Sequence, residues 1–357
     1  MDRTWLGTSR TGRMIGALFA LILVVSLHPR PSAAVTPIPG GEIAGKERGG
    51  AQGGDGLQEI SRPAAAGYDG RGGTVVLLDT GVDYTRPEFG SCTRPGKGCQ
   101  VIAAVDIAPA DGQADDSGHG TWTAAILASV APAAKIISLD VFDGGAVYDN
   151  DVAGALQWVL RNRVRYDISV VNMSVGHYRE YHAQDCRGSI LDAPIAAIRA
   201  AGILPVAAAG NQGTFGRKFT PGVSFPACVP GVVSVGAVYI SSGDTVTYDD
   251  GWMKCRDATV TADEPACFSQ SASNLDVWAP GAFVSAGPWV GGYGTSAAAP
   301  FVAGAAAVLV QVAPHATVAR IQRAITSAGP IVRDQRLLTA SRAHRLDIVG
   351  AVAAIQA

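Results

Sequence analysis

The feature that most constrains this chain is a series of short, almost wholly apolar runs separated by stretches of helical character. "TVVLLDT" (Thr74–Thr80), "AKIISLDVF" (Ala134–Phe142), "ISVVNMSVG" (Ile168–Gly176), "ILPVAAAGN" (Ile203–Asn211) and "VVSVGAV" (Val232–Val238) have strand length and little polar alternation. Strands of that kind are buried on both faces. "GTWTAAILASVA" (Gly120–Ala131), "DVAGALQWVLRNR" (Asp151–Arg163), "SILDAPIAAIRAAG" (Ser189–Gly202), "TVARIQRAITSAG" (Thr317–Gly329) and "LDIVGAVAAIQ" (Leu346–Gln356) read as helices between and after them. The alternation predicts an α/β fold, a parallel sheet covered by helices on both faces. In such sheets chemistry gathers at the carboxyl ends of the strands.

The N-terminus has a different character. Arg3, Arg10 and Arg13 precede the apolar run "MIGALFALILVVSL", and "HPRPSAAV" follows with small residues at Ser32 and Ala34. This is the three-part pattern of a secretory signal over residues 1–34, cleaved after Ala34. The run is short for a membrane span and nothing later in the sequence reads as one, so no stable membrane insertion is expected after cleavage. Residues 35–56 are rich in Gly and Pro and read as a linker or short pro-segment. Six cysteines follow, an even number, which in an exported chain points to disulfides and to a secreted or periplasmic location. The pairing is open from sequence. Close spacing makes Cys92–Cys99 and Cys255–Cys267 natural partners and leaves Cys186 with Cys228. A net charge of −2 gives no electrostatic reason to expect a nucleic-acid partner.

Four polar residues stand at junctions where chemistry is expected. "GGYGTSAAAPFVAGAAAVLV" (Gly291–Val310) is a buried helix whose start lies near Ser296, because Pro300 is tolerated in a first turn and costly further in. Ser296 is then either an N-cap or a nucleophile at the positive end of a helix dipole. Asp79 ends the first apolar strand, in "LLDTGVD"; it is either a turn residue or a buried, paired carboxylate. His119, in "DDSGHGTWTAAIL", is a loop histidine or a proton shuttle, with Gly118 and Gly120 allowing close approach to its ring. Asn211 ends a strand and is a turn residue or a donor to a developing oxyanion. Jointly, Asp79, His119 and Ser296 would make a serine reactive: the histidine takes its proton and the carboxylate holds the histidine.

These residues resemble the signature blocks of the subtilisin-like serine peptidases. "DTGVD", "HGT" and "GTSAAAP" are similar to the blocks around that family's acid, base and nucleophile, in the same chain order. The resemblance covers about Leu57 to the C-terminus. It implies a doubly wound, mostly parallel sheet in a single catalytic domain, residues 57–357. "AAAGN" resembles the oxyanion-hole block, which maps the side-chain donor onto Asn211, with Ala209 and Gly210 beside substrate and the Ser296 N–H as second donor. "VNMSVG" resembles the substrate-lining strand, with Ser174, Val175 and Gly176 at the peptide-binding edge. "VAPAAKIISLDVFDGG" resembles the strand leading to the other wall, around Gly144 and Gly145. The implied function is secreted endopeptidase activity on protein or peptide substrates through an acyl-enzyme. A peptide-binding homologue that does not cut and a transpeptidase on the same scaffold are the alternatives. No cofactor is required for this chemistry; structural calcium is an expectation of the family, with no residue mapped to it. Two departures stand out: Ala297 replaces a common Met, and Trp122 a frequent His. Residues 35–56 are too few for a folded inhibitory propeptide, so the chain is expected either to fold without one or to use a separate inhibitor or chaperone.

Overall fold

The computed structural model describes Ala34–Pro37 and residues 67–357 apart from Asp111, Gly144, Asp250 and residues 339–341. The rest of the expected signal and linker segments lies outside the described residues. Ala34–Pro37 itself is a strand, β1. The strands that follow are β2 (Thr74–Asp79), β3 (Val101–Asp106), β4 (Lys135–Asp140), β5 (Phe142–Asp143), β6 (Ala146–Tyr148), β7 (Val170–Met173), β8 (Val175–Gly176), β9 (Leu204–Ala208), β10 (Val233–Tyr239), β11 (Val277–Ala286), β12 (Trp289–Tyr293) and β13 (His344–Arg345). Further short strands lie between β8 and β11. The helices are α1 (His119–Val130), α2 (Asp149–Tyr166), α3 (Asp192–Ala200), α4 (Thr295–Val312), α5 (Val318–Ser327) and α6 (Ile348–Gln356).

The large sheet has nine strands in the order β12-β11-β10-β9-β7-β2-β4-β3, with β13 beside β11. All neighbours are parallel except the hairpin pair β11–β12. The first long strand, β2, lies mid-sheet; β4 and β3 extend to one side and β7, β9, β10 and β11 to the other. The winding therefore reverses between β2 and β7, as in a doubly wound sheet, and that junction is where such folds hold their ligands.

Strand periodicity decides which residues meet there. Side chains alternate between faces. Val75 and Leu77 of β2 belong to a core shared with α1 and α4, whereas Val76 and Leu78 join a second core with α2 and α3. Asp79 follows in step with Val75 and Leu77, so its carboxyl points to the α1–α4 side. Both helices lie close. A Cβ on Gly304 of α4 would come within 2.8 Å of Val130 Cβ on α1. α4 is long and apolar enough to cross a membrane by length and composition, yet 83% of it is buried within the protein. It is the central core helix, a role its sequence shares with a membrane span.

Two findings differ from the sequence reading. β3 was not among the expected strands; several of its residues are partly or fully exposed, as befits the sheet edge, so its apolar signal is diluted. Ala34–Pro37, expected at the join of signal and linker, instead forms a strand between β6 and β8, in a second sheet of order β5-β6-β1-β8. The facing edges of β6 and β8 present unpaired backbone groups one strand apart, and an extended segment satisfies both. The three disulfides are Cys92–Cys99, Cys186–Cys228 and Cys255–Cys267. The last one joins a strand in the insertion between β10 and β11 to the loop that follows it.

Replacing Gly304 with Val should wedge α4 away from α1. The expected cost is about 1–3 kcal/mol or more, read as a lower thermal midpoint with unchanged secondary structure by circular dichroism.

Candidate active site

Asp79 ends β2 with 1% of its surface exposed, so its carboxyl must be satisfied within the protein. It is. Oδ1 accepts the backbone N–H of Thr80 at 2.9 Å and lies 2.6 Å from Nδ1 of His119. Oδ2 accepts the hydroxyl of Thr123 at 2.9 Å. His119 and Thr123 stand four apart on α1, hence on one face of the helix. A carboxylate against Nδ1 makes that nitrogen the N–H donor, which turns Nε2 into the ring's proton acceptor.

α1 is brought to Asp79 by residues the sequence reading did not single out. Gly118 is its N-cap and offers no side chain. Asp115 serves instead: Oδ1 accepts from Gly118 N at 2.8 Å and Ser117 N at 3.1 Å, and Oδ2 from Thr121 N at 2.8 Å and from the Thr121 hydroxyl. Thr80 Oγ1 donates to Asp115 at 2.8 Å and accepts from Gly120 N at 3.0 Å, tying helix to strand. An acidic residue just ahead of a helix start was the available signal for Asp115. Gly120 matters for a different reason than expected. A Cβ there would meet the Gly81 carbonyl oxygen at 2.0 Å, so its bareness allows helix and strand to touch. Trp122 packs edge-on to the His119 ring, centroids 6.1 Å apart. A Cβ on Gly292 would come 2.4 Å from the Trp122 ring, so the larger aromatic is matched by a missing side chain on β12.

Ser296 is the second residue of α4. The N-cap is Gly294, so Ser296 is not a capping residue; its Oγ is buried and makes no hydrogen bond among the described residues. Pro300 sits inside the helix rather than in its first turn, contrary to the sequence reading. Lacking an N–H, it cannot bond the carbonyl four residues back, which is that of Ser296. Ser174 compensates, donating its hydroxyl to Ser296 O at 3.0 Å, and Asn172 donates to Ser174 Oγ at 3.0 Å. The helix start is held from the other side by Asn211. Its Oδ1 accepts both Thr295 N and Thr295 Oγ1 at 2.8 Å, which leaves Nδ2 as the amide's donor end.

The remaining expected positions fall as follows. Val175 and Gly176 form β8, whose partner β1 runs antiparallel with Thr36 opposite Gly176 and Pro37 opposite Val175. Ser174 lies one residue nearer Ser296. On the other wall, β6 pairs with the same strand, Ala34 opposite Tyr148 and Val35 opposite Val147. Gly145 is an exposed turn residue before β6 with φ +92°, and Gly144 lies outside the described residues. Ala209 and Gly210 spend their backbone groups internally: Ala209 bonds Val235 and Ser224, Gly210 bonds Thr295 and Gln270. They position Asn211. Among the described residues, the His, Cys and acidic side chains close enough to share a metal ion are His182, Cys186 and Cys228, but the two sulfurs are joined to each other.

Fold and site together define a doubly wound α/β protein with a buried acid–imidazole pair on a helix packed against the core helix that begins at Ser296. The model of the subtilase family matches residues 70–346, and the chain belongs to that family. It is 29% identical to subtilisin E of Bacillus subtilis (strain 168) over 290 residues, which cover 76% of this chain and 65% of that protein. It is equally similar, 29%, to subtilisin of Bacillus pumilus, 90% of which is covered. Subtilisin-like protease 2 of Arthroderma benhamiae is 31% identical over 275 residues, covering 71% of this chain and 55% of that protein.

Asp140 lies level with Asp79 on the neighbouring strand β4. Burial pushes its carboxyl up to about 7; the Phe142 N–H counteracts this, and the charges of Asp116, Asp106 and Asp115 add to it. An acid raised on folding stabilises the fold fully below its unfolded value and loses that contribution as pH climbs through its folded value. Asp140→Asn should therefore gain stability over the parent between pH 4 and pH 8, by on the order of 3 kcal/mol. Urea midpoints of both proteins across that range check it.

Proposed function

We propose that the protein is an exported serine endopeptidase acting through Asp79, His119 and Ser296. The observation that carries this reading is the buried 2.6 Å contact between Asp79 and His119, with an unbonded Ser296 hydroxyl at the start of the helix packed against α1. In the reaction Ser296 Oγ attacks the scissile carbonyl while His119 Nε2 takes its proton. The tetrahedral oxyanion is met by Asn211 Nδ2 and the Ser296 N–H, each donor being worth about 3 kcal/mol in the transition state. The amino end of α4 favours that same charge. His119 then gives its proton to the leaving amine, releasing the first product and leaving the acyl group on Ser296. Water, deprotonated by His119, attacks the acyl carbon and frees the second product. Asp79 and Thr123 hold the imidazole for both transfers.

Substrate would add as a strand between β6 and β8, the manner in which Ala34–Pro37 lies there now. Register supports this: Pro37 lies opposite Val175, the neighbour of Ser174, whose hydroxyl holds the Ser296 carbonyl. Three disulfides favour an oxidising, extracytoplasmic setting. A homologue that binds peptides without cutting would keep the groove but would not need an unbonded, buried hydroxyl at its side.

A serine-directed phosphonate should label Ser296 in the parent and nothing in Ser296→Ala, and Ser296→Ala should lose cleavage of an unfolded protein substrate by several orders of magnitude. Equal cleavage by both would end the peptidase reading. Because Ala34–Pro37 occupies the groove, a chain beginning at Ile38 should show a KM several-fold below that of one beginning at Val35, with kcat little changed. Steady-state kinetics on one peptide measures both.

A further inference from the structure

The walls of the groove are joined at their far ends by a cluster that the proposed chemistry does not use. His177 directly follows β8, and Asp149 directly follows β6 and opens α2. Nε2 of His177 lies 2.9 Å from Asp149 Oδ1, and Nδ1 lies 2.7 Å from Glu180 Oε2. Each ring nitrogen thus faces a carboxylate, and both can donate only if the ring is imidazolium. His177 is 7% exposed, with its ring 4.8 Å from that of Phe225. Its backbone is held as well: its N–H donates to Phe225 O at 2.9 Å, and its carbonyl accepts the Ser224 hydroxyl at 3.2 Å. Asp149 gains further from its place in the first turn of α2.

We infer that His177 is a positioning residue for the substrate groove: its ion pair with Asp149 ties β8 to β6 and holds them one extended strand apart. The inference rests on the reading of this groove as the peptide site. The place of the latch gives it a length dependence. From Ser174, level with the reacting bond, His177 lies three residues further along, roughly 10 Å at strand spacing. A substrate with several residues ahead of the cut runs the length of the walls whose separation the latch sets. A substrate with only one or two stays near Ser174, where the Ser296 carbonyl already anchors the wall.

The latch is also sensitive to pH. The charged groups facing His177 are Asp149 from α2 and Glu180 from the loop after β8. His182, on the short strand Tyr181–His182, shares Glu180 at 3.1 Å. Arg179, next to Glu180, is drawn away over the Tyr178 and Phe215 rings. Burial opposes the charge on His177, but the hydrogen bonds to Asp149 and Glu180 outweigh it and raise its pKa above the ordinary imidazole value. The latch therefore holds through the ordinary imidazole range and opens as pH rises through the folded value.

The test compares two fluorogenic peptides on the full-length protein, one with six residues before the cut and one with two. Both must displace Ala34–Pro37, and both need His119 in the same state, so the ratio of their kcat/KM values isolates the far end of the groove. In His177→Ala that ratio should fall about tenfold, through KM of the long peptide, with kcat within twofold; a displacement of about 1 Å is enough for an effect of that size. Asp149→Asn, which acts from the other wall, should reproduce the fall, and Asp149→Glu should restore most of it. The parent ratio should decline as pH rises into the alkaline range, and that of His177→Gln should stay flat. An unchanged ratio in both His177→Ala and Asp149→Asn, or an equal loss for both peptides, overturns the latch. If the parent cuts neither peptide, the peptidase reading fails on its own, and the same ratio is read from binding of the two peptides by fluorescence anisotropy. Absence of binding by either peptide overturns the latch as well.

Discussion

A carboxyl group placed at the end of a buried strand is the constraint around which the upper edge of this sheet is arranged. Asp79 has no access to water, so each of its oxygens must find a donor or the fold loses several kcal/mol. The donors come from three directions: the chain's next N–H, the imidazole of His119, and the hydroxyl of Thr123 one helical turn on. Satisfying them requires α1 to approach the strand end to within contact, which only a glycine at position 120 permits. Asp115 and Thr80 then hold the helix start in place. The requirement to satisfy one buried group thus orients a histidine.

The amino end of α4 repeats the logic with the opposite outcome. There several groups are tied to neighbouring segments. Asn211 holds Thr295, Ser174 replaces the hydrogen bond that Pro300 cannot make, and Gly294 passes its N–H to Gly281 at 2.8 Å. The hydroxyl of Ser296 is buried without a partner among the described residues. The same serine, Ser174, joins this helix start to the first residue of the groove wall. The wall is thereby anchored at Ser174 to the backbone of Ser296.

The groove depends on strand edges that cannot be left bare. β6 and β8 are two or three residues long and face each other across the width of one strand. Backbone pairing of this kind is indifferent to side chains. At the far end His177 lies between two carboxylates.

Much of this was readable along the chain. The unbroken apolar runs predicted a parallel sheet with two covered faces, and Asp79, His119, Asn211 and Ser296 stood out because each sits where a strand ends or a helix begins. Those are local properties: periodicity, glycine, proline and the ends of apolar runs. Position 300 was misread because its partner is not local; the carbonyl freed by that proline is satisfied by a side chain 122 residues earlier. Asp115, Thr80 and Thr123 were missed for the same reason, since a threonine or aspartate in a loop has no pattern until the group it bonds is known. β3 escaped because an edge strand is half exposed. The order of elements, the buried faces and the identities of the candidate site residues are thus properties of the amino-acid sequence itself. Which hydroxyl is left without a bond, which strand edges stand one strand apart, and which histidine links two walls were decided by the tertiary structure, because each depends on distances between residues that only the folded sheet brings together.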